Sequence, residues 1–235
     1  MDYVFQFGAV FQRTDLIVSG LLMTIKLSVI ATIAGFLLGV ICARATREGS
    51  LVSRWLATTY VEIIRNTPFL AQLYMVAFGL PQMALWFGLH IRPSPYILAS
   101  VALSINLGAY VTEIVRAGLD AIPKAQVEAA ESLALTPFQI FLHVKLAPAL
   151  AKVFPALTSQ FVLQMLGSSV VSVIAVQELT AAAGRIQSET FRTFETYLVV
   201  TAIYFVLAFV LRSILSLVVR AIWPWMPRGA RRSRA

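Results

Sequence analysis

Pro123-Lys124-Ala125-Gln126-Val127-Glu128-Ala129-Ala130-Glu131-Ser132-Leu133-Ala134-Leu135-Thr136-Pro137-Phe138-Gln139 lies between two long apolar stretches, and its reading decides how the chain is arranged. Pro123 suits the first turn of a helix, where its missing N–H would have no partner anyway. Asp120, just upstream, adds favourable negative charge near that N-terminus. Residues 124–135 are good helix formers throughout. Thr136-Pro137-Phe138-Gln139 is a second start signal, with a Thr cap, Pro at the first helical position and Gln at the third. The pattern predicts a second helix over about 137–146, with Phe138, Phe141 and Leu142 on one side and Pro148 as its stop. The charged segment 116–152 therefore reads as two short helices with a bend at Leu135-Thr136.

The rest of the chain sets the context of that segment. Hydrophobic residues are 59% of the 235 and charged residues 13%, with a mean hydropathy of +0.80, far outside soluble usage. Several apolar runs reach the roughly 20 residues that cross about 30 Å of hydrocarbon. The fold class predicted is all-α integral membrane, one domain over 1–235, with spans over about 16–43, 67–87, 96–117, 154–176 and 197–219 and a polar loop over about 118–152. An interfacial helix over 51–65 leads to a break at Asn66-Thr67-Pro68. Gly79-Leu80-Pro81 weakens the outer end of the second span, and Pro93-Ser94-Pro95 is a turn. Cys42 is the single cysteine, so no intrachain disulfide forms, and it reads as a small buried hydrophobe. The start, Met1-Asp2-Tyr3-Val4, lacks the basic residues of a cleaved signal peptide.

Charge placement gives an orientation. Loops 44–65 and 116–152 and the tail from Arg212 hold 14 of the 19 Lys and Arg residues, including Arg228, Arg231, Arg232 and Arg234. Arg13, Lys26, Arg92, Arg185 and Arg192 fall on the other side. The basic side is expected to be cytoplasmic, with the N-terminus outside and the C-terminus inside. Trp223 and Trp225 then fall in an inner-face aromatic belt. The net charge of +8 is thus explained by membrane orientation, and no nucleic-acid partner is expected.

Several chemistries have no residues to carry them. There is no phosphate-binding G-x-x-x-x-G-K-[ST] loop, no metal-ligand cluster among two histidines and one cysteine, and no nucleophile–base pair. Any energised work must draw its energy from elsewhere. Ala125, Ala129, Ala130 and Ala134 would permit close approach of a partner surface, and Glu128 could pair with a basic group on it. The alternative is an interfacial helix on lipid headgroups, but Glu128 and Glu131 face anionic lipid poorly, which favours a protein partner.

The fourth span is unusually polar, with Thr158, Ser159, Gln160, Gln164, Ser168, Ser169 and Ser172. Intramembrane polar groups normally face the bundle interior or a wet cavity. Glu113 in the third span either binds an amino group of a ligand or pairs locally with Arg116 at i+3. Arg212 reads as snorkelling, and Gly35 and Gly39 form a G-x-x-x-G, a weak signal of close helix packing.

The run Glu128-Ala129-Ala130-Glu131-Ser132-Leu133-Ala134, with Ile140, Leu146 and Pro148 after it, resembles the EAA loop of bacterial ABC importer permeases. The chain is most similar to the polar amino acid uptake family. Further resemblance lies in Arg65-Asn66-Thr67-Pro68-Phe69-Leu70-Ala71-Gln72-Leu73, Asn106-Leu107-Gly108-Ala109-Tyr110-Val111-Thr112-Glu113-Ile114-Val115-Arg116-Ala117-Gly118, Ile122-Pro123-Lys124-Ala125-Gln126, Ser169-Val170-Val171-Ser172-Val173-Ile174 and Thr190-Phe191-Arg192-Thr193-Phe194-Glu195. It covers nearly the whole chain in order.

The resemblance implies an inner-membrane permease subunit of an ATP-driven amino acid importer. Its partners would be a cytoplasmic ABC ATPase dimer, a second permease subunit and an external solute-binding protein, within a lipid bilayer. ATP and Mg would sit on the ATPase, and this chain would bind no cofactor and catalyse nothing. Glu128, Ala129, Ala130, Ser132, Leu133, Ala134 and Leu135 would form the ATPase-coupling helix. Gln72, Asn106, Glu113, Gln164, Ser168 and Ser169 are the candidates for the substrate route.

Three departures from the family pattern stand out. Ala134 replaces the loop glycine, which predicts a bend made with ordinary dihedrals. Ala147-Pro148 replaces Leu-Pro. Leu166-Gly167 stand where Lys followed by Asp or Asn is common, so no acidic group is offered to a ligand there. A stand-alone secondary transporter would need inverted repeats or broken midplane helices, and none is read here. A non-transporting scaffold would have little use for the polar fourth span.

Overall fold

The computed structural model describes residues 4–90 and 92–224, all in helices and their connections, without a strand among the described residues. Trp225, Arg228, Arg231, Arg232, Arg234 and the first three residues lie outside the described set. Five helical segments are long and apolar enough to cross a membrane: Thr14–Glu48, Phe69–Trp86, Pro95–Asp120, Pro137–Ile174 and Thr193–Ile222. The all-α membrane fold expected from composition is therefore present.

A short α1 (Phe7–Phe11) leads into α2 (Thr14–Glu48). Helix α3 (Leu51–Arg65) is capped by Ser50, whose side chain accepts from the Ser53 amide, and it buries Ala57 and Val61. Its last carbonyls, which a helix end leaves unpaired, are taken up by side chains. Asn66 Nδ2 donates to Glu62 O (2.8 Å), Thr67 Oγ1 to Ile63 O (2.8 Å) and Gln72 Nε2 to Ile64 O (2.7 Å). Pro68 then stops the helix and sits at the N-cap of α4 (Phe69–Tyr74).

Two prolines expected to weaken or end helices do neither. A π-helical turn, Met75–Gly79, joins α4 to α5 (Leu80–Trp86), and Pro81 falls in the first turn of α5. A second π-helical stretch, Ile140–Leu146, precedes Pro148 in the first turn of α9 (Ala147–Gly167). Proline in a helix lacks a donor and its ring meets the carbonyl four residues back. Widening the preceding turn to i→i+5 bonding offers a way around both problems. The expected stop at Pro148 is thus corrected: the fourth span continues unbroken from the polar loop.

Helix α6 (Pro95–Asp120), capped by Ser94, is the central element and packs along α2. The two backbones approach closely at glycines. A Cβ on Gly35 would lie 2.8 Å from Leu107 Cβ, one on Gly108 would lie 2.7 Å from the Tyr60 hydroxyl, and one on Gly39 would overlap Val111. The weak G-x-x-x-G signal in the first span therefore marks a real helix contact. Leu107, Val111, Val115, Phe141, Leu157 and Phe161 form a buried cluster on this axis.

The chain continues through α7 (Lys124–Ser132) and α8 (Pro137–Gln139) into the π-helical stretch and α9. Helix α9 passes into a 3₁₀ stretch, Ser168–Ile174, ended by left-handed Ala175. Helix α10 (Leu179–Thr190) then packs on α2 and α11 (Thr193–Ile222).

Candidate functional site: the helical loop and the polar interior

Helix α7 turns Ala130 into the protein and leaves Ala125, Gln126, Glu128, Ala129, Ser132 and Leu133 exposed, Leu133 by 75%. Pro123 is its N-cap in extended conformation, one position earlier than expected. The C-terminal turn corrects a second expectation. Ala134 has φ 54°, the left-handed region. The Leu135 amide donates to Ala130 O (3.3 Å) and the Ala134 amide to Glu131 O (2.9 Å). This paired pattern is a Schellman motif, which normally places glycine at the left-handed position. The two hydrogen bonds satisfy orphan carbonyls and hold alanine in a conformation that costs roughly 1–2 kcal/mol.

Immediately beyond, the predicted capping box is present. The Gln139 amide donates to Thr136 Oγ1 (3.4 Å), and the Thr136 amide donates to Gln139 Oε1 (2.9 Å). The bend at Leu135-Thr136 is thus made by two motifs in series.

Past the bend, Ile140, Phe141 and Leu146 are buried, whereas Phe138 stays exposed. The Arg44 guanidinium lies over the Phe141 ring at 4.7 Å and the Phe138 ring at 5.8 Å. Glu48 accepts from Lys145 Nζ at 2.7 Å and from Arg44 Nε at 3.3 Å. Arg47 pairs with Asp120, and Lys152 Nζ donates to Ala121 O at 2.9 Å. A cleft of about 410 Å³ opens between this band and α7, lined by charges of both signs including Arg47, Asp120, Lys124, Glu128, Glu131 and Lys145.

The route candidates fall into three groups. Asn106 Nδ2 donates to Gln72 Oε1 (2.9 Å), while Gln72 Nε2 also donates to the Thr67 carbonyl (3.0 Å) and hydroxyl (2.9 Å). Glu113 is held by Arg116, Nε to Oε1 at 2.9 Å and Nη2 to Oε2 at 2.6 Å, with Arg65 at 3.5 Å. Of the two readings left open for Glu113, the local pair is the one this structure forms. Gln164 is buried and donates to Leu103 O (2.9 Å), tying α9 to α6, and buried Ser168 donates to Met165 O (2.7 Å). Ser169 is half-buried and its carbonyl accepts from Ser172 Oγ at 2.8 Å. Each group is held by its own local hydrogen bonds.

One constellation was missed in the sequence. Glu178, fully buried, accepts from the Ala181 amide (2.8 Å) as the N-cap of α10 and from the Tyr204 hydroxyl (2.7 Å). Thr24 on α2 donates toward the same carboxylate (3.5 Å) and accepts from the Leu179 amide (3.1 Å). Burial pushes the Glu178 carboxyl above its ordinary range, and bonds from Thr180, Tyr204 and Ala181 pull the other way. The available signal was a lone carboxylate just before a helix-forming run, after Ala175-Val176-Gln177. Tyr60 donates to Ile105 O at 2.6 Å, and burial pushes its phenol above the ordinary value. No group of three metal-ligating side chains occurs among the described residues.

A bundle of five apolar spans with an exposed two-helix element at one end defines an integral membrane component of the permease type. Residues 35–224 match the family described as binding-protein-dependent transport system inner membrane component, and the chain belongs to that family. It is 32% identical to a putative glutamine transport system permease protein, GlnP, of Rickettsia conorii, over 92% of this chain and 96% of that one. It is also 32% identical to the arginine transport system permease protein ArtQ of Bacillus subtilis, over 87% and 91%. A crystal structure of an amino acid ABC transporter with histidines superposes with a TM-score of 0.80 at 36% identity, covering 93% of this chain and all of that one.

Proposed function

We propose that this chain is the membrane-spanning subunit of an ATP-driven importer of amino acids. In this reading the end of the bundle bearing α7 and α8 is cytoplasmic, the N-terminus is external and the membrane is the bacterial inner membrane. The exposed face of α7, with Glu128, Ala129, Ser132 and Leu133, docks on a separate ATPase that binds ATP and Mg. A second permease subunit completes the route, and a solute-binding protein delivers the amino acid from outside. Relatives named for glutamine and arginine transport support the substrate class.

The observation that carries the reading is the loop itself. Residues 124–139 are folded by a Schellman turn and a capping box, anchored by Ala130, and yet present alanines, a glutamate and a bare leucine outward. A segment this ordered and this exposed fits a rigid docking element. The chain carries no phosphate-binding loop, so in this reading the energy of ATP reaches it through such a contact.

Purification in mild detergent tests the assembly, and reconstituted uptake tests the drive. An ATPase and a permease partner should co-purify, and amino acid uptake should require ATP and the binding protein. Glu128→Lys should leave insertion intact while ATP hydrolysis no longer drives uptake. Uptake driven by an ion gradient without ATP would overturn the proposal.

A further inference from the structure

The loop is joined covalently to α6 through residues 121–123 and to α9 through the π-helical stretch, but not to α2. We infer that Glu48 is the positioning residue that ties α2 directly to the loop's second half, so that motion of the docking element reaches the packed α2–α6 pair from Lys145 as well as through residues 121–123. The inference rests on the proposed docking role of α7.

Three observations carry it. Glu48 is the last residue of α2, and its two carboxylate oxygens are divided between the loop and its own helix. Oε1 accepts from Lys145 Nζ at 2.7 Å and Oε2 from Arg44 Nε at 3.3 Å. Arg44 is also stacked over Phe141 at 4.7 Å. One carboxylate thereby links a cation on the π-helical stretch to a cation already seated on that stretch's aromatic ring. Charge-assisted pairs of this kind fix geometry as well as adding energy.

The following turn is stiff. A Cβ on Gly49 would overlap Ser53 Oγ and Ala45 O, so Glu48 is separated from α3 by only two residues, Gly49 with no room for a side chain and the cap Ser50. The Gly49 amide donates to Ala45 O at 3.1 Å and Ser50 caps α3. Beyond the turn, α2 is locked to α6 by the close approaches at Gly35, Gly39 and Gly108. A displacement at Lys145 is therefore carried into α2 and α3 together, and the packed α2–α6 pair moves as one body. Arg47 with Asp120 is a second tie, but it joins α2 to the end of α6 and not to the loop's second helix.

The test uses the complete transporter in proteoliposomes, measuring amino acid uptake and ATP hydrolysis together. Glu48→Lys, which repels both Arg44 and Lys145, should raise the ATP hydrolysed per amino acid taken up by at least about fivefold. Reversing the pair with E48K/K145E should bring that ratio back toward the original, whereas a purely structural role would lower the amount of assembled complex and leave the ratio unchanged. Glu48→Gln, similar in volume, reads the same ratio if E48K fails to assemble and should raise it by a smaller factor. An unchanged ratio in an assembled E48K or E48Q complex, or no recovery in the double variant, would overturn the inference. Absence of ATP-dependent uptake in the unsubstituted complex would instead overturn the proposed function beneath it.

Discussion

Asn106 on α6 donates its side-chain amide to Gln72 Oε1 at 2.9 Å, and Gln72 passes the restraint on to the carbonyls of Ile64 and Thr67. Two residues expected along the substrate route are thereby occupied in holding the bend between α3 and α4 against α6. Leucine at 106 would keep the branched shape but leave Gln72 Oε1 unpaired. N106L should destabilise the purified protein by about 1–3 kcal/mol, the cost of an unsatisfied partly buried acceptor. Thermal unfolding in detergent checks it, and an unshifted midpoint would show that the contact carries no stability.

Glu113 is saturated by Arg116 and Arg65. A carboxylate so engaged has little left to offer an ammonium group. E113Q should lower stability by no more than about 1 kcal/mol, since the pair is partly exposed. The substrate concentration giving half-maximal uptake should be unchanged. A rise in that concentration with unaltered stability would assign Glu113 to the route instead.

Ala134 sits at φ 54° inside a Schellman turn. Glycine removes the left-handed penalty, so A134G should stabilise the loop by about 1 kcal/mol. Valine, with its branched Cβ, should do the opposite. Slower exchange of the Ala134 and Leu135 amides in A134G, and faster exchange in A134V, are the expected readouts.

Glu178 joins α10, α11 and α2 through Ala181, Tyr204 and Thr24. Its carboxyl is raised above the ordinary 4.5 by burial. A raised acid is most stabilising when protonated, so its contribution is full below about pH 4.5 and is lost as pH rises through the native value. The unsubstituted protein should lose more of its melting temperature than E178Q between acid and neutral pH. E178A should cost about 1–3 kcal/mol at acid pH, by leaving the Ala181 amide without its acceptor and the Tyr204 hydroxyl with Thr180 alone. Equal pH slopes for the parent and E178Q would remove Glu178 as the titrating group.

The five spans and the capping box were legible because each rests on residues close in sequence: apolar runs of sufficient length, and Thr136 three before Gln139. Pro148 was misleading because the π-helical stretch that accommodates it has no local residue signature. Ala134 defied its propensity because two backbone hydrogen bonds, not its side chain, fix its dihedrals. Glu113 was ambiguous in sequence because Arg65, its second cation, is 48 residues away on another helix. Glu178 was missed for the same reason: Thr24 and Tyr204 come from opposite ends of the chain. The contact at Gly35 and Gly39 depended on Leu107 and Val111, which a motif on one helix does not reveal.

The spans differ widely in length. Helix α2 has 35 residues and the segment Phe69–Trp86 only 18, about 52 Å and 27 Å at 1.5 Å per residue. Roughly 30 Å of hydrocarbon is more than the short rod covers upright, while the long one must tilt or stand proud of it. Both belong to one packed bundle, so tilting to suit the first would carry the second further from spanning. A span that short is accommodated by thinning of the lipid beside it, by snorkelling of its flanking residues or by association with another helix, at a cost of a fraction of a kcal/mol per ångström. Acyl-chain length is thus a mechanical load on this subunit, applied at its shortest rod and felt wherever that rod is braced.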